Sequence, residues 1–63
     1  MGAKIGILYN APCYFNYNYY GKYVEMTGKI ISDINRNAIL FQTVYETYIQ
    51  LDIDLIERIN YLW

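Results

Sequence analysis

Histidine is absent from this chain, cysteine and proline occur once each, and serine occurs only as Ser32. Without histidine, the usual base for a serine or cysteine nucleophile is missing, and neither Ser32 nor Cys13 sits in a motif that would replace it. Acyl-transfer catalysis is therefore excluded as a reading. A single cysteine rules out an intramolecular disulfide and fits a reducing compartment. Cys13, beside Pro12 in an expected turn, reads as a small buried side chain rather than a reactive thiol. Charge of either sign is scarce, with five basic and six acidic residues and a net charge of −1. This disfavours a protein that holds nucleic acid through many phosphate contacts, and it is too little charge for a mimic of DNA. No apolar run approaches the roughly 18 residues that span a bilayer. The opening residues make neither a signal peptide nor a myristoylation signal, because Gly6 stands where Ser or Thr is required. We expect a soluble, cytoplasmic protein with no membrane partner.

Sixty-three residues make one small domain, residues 1–63, near the length at which a core alone barely offsets the entropy of ordering. Hydrophobic residues make up 56% of that chain, so a small globule built from it leaves apolar area outside. A homodimer or higher oligomer is the expected way to cover it. Ten isoleucines, six asparagines and nine tyrosines, all with A- and T-rich codons, point to a low-GC bacterium or its phage.

The densest feature is Tyr14-Phe-Asn-Tyr-Asn-Tyr-Tyr-Gly-Lys-Tyr23, which holds five of the nine tyrosines. Tyrosine offers a large, stiff, half-wet contact area and is enriched on binding surfaces as well as in cores. A period of two places Phe15, Tyr17 and Tyr19 on one face of a strand, as core or self-association residues. It places Tyr14, Asn16, Asn18 and Tyr20 on the other, and with Tyr23 these are the candidate partner-binding residues.

Elsewhere, Lys4–Tyr9 reads as a short strand that reverses over the turn Asn10-Ala11-Pro12-Cys13. Gly21 marks a break, Gly28 a bend, and Asp33–Asn37 a tight hairpin connection. Ala38–Tyr45 and Glu46–Leu51 read as two strands broken near Tyr45-Glu46. In the tail Asp54 and Glu57 could form a helix N-cap and its return partner, but alternation on both sides favours strand, one helical turn over Asp52–Leu55, then strand. The fold class is mainly β: a small, strongly bent antiparallel sheet or barrel of about four to six short strands with little helix.

Asp52, Asp54 and Glu57 are the one acidic group worth testing as a metal site, but they lack the glycine and the fuller ligand set of a calcium loop. A solvated, capping turn is the simpler reading. We assign no metal, no cofactor and no catalytic residue.

Four segments carry a family resemblance: Tyr20-Gly-Lys-Tyr-Val24, Gly28-Lys-Ile-Ile31, Ile34-Asn-Arg-Asn-Ala-Ile39 and Ile49-Gln-Leu-Asp-Ile-Asp-Leu-Ile56. Together, from Tyr20 to Asn60, they resemble YolD-like proteins of Gram-positive bacteria and their phages, whose pattern is itself similar to Sm-like small barrels. Gln50-Leu51 replaces the Pro-Phe of an Ile-Pro-Phe-Asp-Asp-Ile-Ile signature, and the Tyr-rich start has no counterpart. The resemblance implies a compact, strongly bent β-domain with no known cofactor and a link to a DNA-damage polymerase accessory role. An Sm-like barrel would further imply rings built through edge strands and binding of single-stranded RNA. The expected function is a non-enzymatic protein-interaction module, phage-encoded or phage-related, that inhibits or modulates a host protein through its Tyr-rich surface, an edge strand or both. The alternative is an Sm-like barrel that stacks single-stranded nucleic acid on its tyrosines.

Overall fold

The computed structural model describes residues 6–62. It holds five strands, β1 (Pro12–Tyr19), β2 (Lys22–Asn35), β3 (Ala38–Thr43), β4 (Tyr48–Asp52) and β5 (Ile56–Tyr61), with a 3-10 turn at Ile53–Leu55. All pairings are antiparallel and the order across the sheet is β4-β3-β2-β1-β5. The protein is thus mainly β, as its sequence predicts. Among the described residues no helix is long and apolar enough to cross a membrane.

Connectivity forces the sheet to bend. β4 and β5 lie at opposite edges, four strand spacings or about 19 Å apart in a flat sheet, yet three residues rising about 2 Å each join them. The sheet must curl until its edges approach. One bond reaches across the curl, from the Asp52 N–H to the Tyr17 hydroxyl of β1 (2.9 Å), while the Ile53 N–H to the Asn37 carbonyl (2.9 Å) extends the β3–β4 ladder by one residue pair. The seam between β4 and β5 stays unpaired among the described residues, so this is an open bent sheet rather than a closed barrel.

Alternation along the strands turns Cys13, Phe15, Tyr17, Ile30, Ile39 and Phe41 into the concave side, where they form the core with Leu51, Ile53 and Ile56. Phe15 and Phe41 meet edge to face at 5.2 Å. The β1–β2 connection is a two-residue turn in which Tyr20 (φ 51°) and Gly21 (φ 83°) are both left-handed, the type I′ geometry that suits strand twist. Asn18 Oδ1 accepts the Gly21 N–H (2.9 Å). The expected break between β3 and β4 falls over residues 44–47, with Glu46 at φ 65°. Asn35 Oδ1 accepts the Asn37 N–H (2.8 Å) and closes the β2–β3 hairpin.

Three local expectations change. Lys4 and Ile5 lie outside the described residues, and Gly6–Tyr9 is not a strand. Gly6 is left-handed (φ 83°), and the segment is held by single bonds, Leu8 N–H to the Tyr61 hydroxyl and Asn10 N–H to the Ile30 carbonyl. Pro12 and Cys13, expected in the turn, instead open β1, while the tail follows the strand, turn, strand expectation, with Asp52 capping the 3-10 turn by accepting the Asp54 N–H (3.0 Å). β2 runs 14 residues through Gly28 without ending, so not all strands are short.

Candidate partner-binding surface

The β1–β2 hairpin carries all five residues singled out in the sequence, on two surfaces. On the convex face Tyr14 lies between Thr27 and Asn60, Asn16 between Glu25 and Glu57, and Asn18 directly opposite Tyr23. Tyr14 and Asn18 are half-buried there, Asn16 is exposed, and Tyr23 is 62% exposed. This strip is polar, and a hollow of about 310 Å³ among Tyr14, Asn16, Glu25, Glu57, Arg58 and Asn60 continues it. Tyr20 stands apart. Its left-handed backbone at the turn leaves it 88% exposed and sets its ring edge-on to Tyr19 at 4.5 Å.

Tyr19 is 57% exposed although it shares the inward face with Phe15 and Tyr17, which are buried. It lies past the last β1 residue that pairs with β5 (Tyr17), so no neighbouring strand covers it on that side. Around it opens a groove of about 640 Å³ lined by Tyr19, Tyr20, Val24, Met26, Ile49 and Leu55, among others. No charged side chain lines it. The groove is a continuation of the concave core face that the open seam leaves unfilled. Sequence reading missed it because Val24 and Met26 come from β2, Ile49 from β4 and Leu55 from the 3-10 turn, and only the curl assembles them.

The acidic group does not converge: among the described residues no three His, Cys, Asp or Glu side chains are placed to hold a metal ion. Cys13 has no solvent exposure, and burial pushes its thiol above the usual range against a smaller opposing effect from a backbone hydrogen bond with Ile30.

One titration has a stability consequence. The Tyr9 hydroxyl donates to Asp33 Oδ1 at 2.7 Å, and that bond, with lesser help from desolvation and from the Asp33 charge, raises the Tyr9 pKa. The folded chain therefore holds this proton more tightly than the unfolded one. The contribution is whole below about pH 10 and is lost as the pH rises through the raised value. Tyr9→Phe should be slightly less stable than wild type at neutral pH, where the contribution is whole, and should lose less stability on the alkaline side of the profile measured by urea unfolding; an identical alkaline decline in the variant would refute the assignment.

Fold and surface define a small, open-sheet β-protein whose exposed aromatic hairpin borders an uncharged apolar groove. No family model, curated protein or solved structure matches the chain.

Proposed function

We propose that this chain is a non-enzymatic interaction module of a low-GC bacterium or its phage, acting in the cytoplasm, that binds and modulates a host protein through the β1–β2 hairpin. One observation carries the reading: Tyr19, Tyr20 and Tyr23 stand largely in solvent on one hairpin, and the first two rim a groove with no charge in its lining. Exposed aromatics on a rigid turn give contact area at little entropic cost, and such residues dominate binding energies. The groove's chemistry suits an uncharged, apolar segment of the partner. The open, bent sheet is also the shape implied by a resemblance to YolD-like proteins, and that kinship belongs to the same proposal.

The test is affinity capture from a low-GC bacterial lysate with the wild-type chain and with Tyr20→Ala and Tyr23→Ala, followed by titration of the purified captured protein. Support is one protein that binds the wild type and loses about tenfold or more in affinity with either variant, each of which should still melt cooperatively. Equal capture by all three chains would overturn the hairpin assignment. Salt-sensitive binding of labelled single-stranded oligonucleotides that fails in the same variants would replace it with the nucleic-acid reading.

A further inference from the structure

The two edges of the sheet, β4 and β5, are built differently. β5 carries Glu57 and Arg58, its register with β1 shifts between Tyr14 and Asn16, and Arg58 is left-handed (φ 44°). Charge and a bulge are the devices that keep an edge strand from pairing with other chains. β4, Tyr48-Ile49-Gln50-Leu51-Asp52, has neither in its interior. It keeps unbroken register with β3, contains no Pro, Gly or Lys, and has its single charge at its last residue.

The unused bonding groups on that edge can be located. Asp52 sits opposite Ala38 of β3 but gives its N–H to the Tyr17 hydroxyl, so its backbone donor points away from β3. Backbone groups in an antiparallel strand alternate sides. Gln50 and Tyr48, two and four residues back, therefore turn their N–H and C=O toward the open edge as well.

We infer that β4 pairs antiparallel with β4 of a second copy of this chain, about a two-fold axis at Gln50. The choice of a second copy rests on self-complementarity. In this register Gln50 faces its own equivalent, Ile49 faces Leu51 of the other copy, and Tyr48 faces Asp52, so no like charges are opposed. The apolar inward residues Ile49 and Leu51 of both copies fall on one face, adjoining the groove wall they already form. Asp52 keeps its N–H on Tyr17, so the ladder is made by the Gln50 N–H and C=O and by the Tyr48 N–H to the Asp52 C=O of the other copy. Exposed Val44, Tyr45 and Tyr48 flank the same edge and supply apolar area to cover. The inference extends the reading above, because Gln50 also lines the groove, but it is tested by mass alone.

Sedimentation equilibrium over a wide concentration range should give the wild type twice the 7.5 kDa mass of the chain. Gln50→Pro removes an outward N–H and no bond to β3, so it should weaken dimerisation about tenfold or more while the monomer keeps its far-ultraviolet spectrum. If proline unfolds the chain, Gln50→Lys gives the same reading by setting like charges opposite each other. Gln50→Cys should cross-link under mild oxidation, and Glu57→Cys on the guarded edge should not. A wild type monomeric throughout, a dimer indifferent to Gln50→Pro and Gln50→Lys, or cross-linking through Glu57→Cys would overturn the inference. Tyr20→Ala should lose the captured partner yet still sediment as a dimer, which separates this question from the function of the hairpin.

Discussion

Phe41→Ala should leave the protein largely unfolded at room temperature. Phe41 is fully buried on β3, opposite Ile30 of β2 and Ile49 of β4, with its ring edge-on to Phe15. Truncating such a ring removes its transfer free energy and leaves a cavity, together about 3–5 kcal/mol. A domain of this length has roughly 3–9 kcal/mol in total, and one near the lower limit of independent folding sits toward the low end, where the loss consumes most or all of it. The curl removes the usual relief, because a sheet whose β4 edge is already tied to β1 through Asp52 and Tyr17 has little freedom to collapse into the void. Phe41→Leu keeps most of the volume and should cost less than about 1.5 kcal/mol. Urea unfolding at fixed protein concentration checks both, best in a Gln50→Pro background so that association does not add to the apparent stability. A Phe41→Ala chain within about 1 kcal/mol of wild type would mean that Phe41 is not the centre of the core.

The features that could be read from sequence were those set by neighbours in the chain. Asn35 and Asn37 bond their own turn, Gly21 breaks the path after β1, and alternation in β1 sorts Phe15 and Tyr17 from Asn16 and Asn18. The break near Tyr45-Glu46 and the strand-turn-strand tail were legible for the same reason. What could not be read was set by coverage, which is a property of the whole sheet. Tyr19 obeys the inward alternation and is nevertheless exposed, since β5 stops pairing with β1 at Tyr17. The strip of Tyr14, Asn16, Asn18 and Tyr20 was a correct reading of period two up to Asn18. At Tyr20 the left-handed turn carries the side chain out of that plane, and cross-strand pairing brings in Tyr23 instead. The Asp54–Glu57 capping box was the wrong alternative for the tail, which has room for one 3-10 turn capped by Asp52 and not for the longer helix a capping box begins.

Gly28 meets a requirement that the sequence does not show, and its replacement carries the second large effect. In the sequence it marks a bend, yet β2 continues through it with Cys13 of β1 on one side and Thr43 of β3 on the other. Its backbone is not left-handed, so conformational freedom is not the requirement. Space is. A Cβ at this position would lie well inside contact distance of the Gln42 carbonyl oxygen and 3.0 Å from the Phe41 ring. The oxygen belongs to the β3 backbone and cannot swing aside as a side chain would, and Gly28 cannot retreat because it is paired on both flanks. Gly28→Ala should therefore cost about 3 kcal/mol, the upper end for overpacking, although only one methyl group is added. Gly21→Ala is the matched comparison: its Cβ meets nothing within 4 Å, and its penalty is the left-handed backbone alone, about 1–2 kcal/mol. If close strand approach is what selects glycine at position 28, urea unfolding will rank Gly28→Ala as the more damaging of the two. The reverse order would mean that β2 and β3 can separate locally at this point, and the bend would then be the better account of the residue.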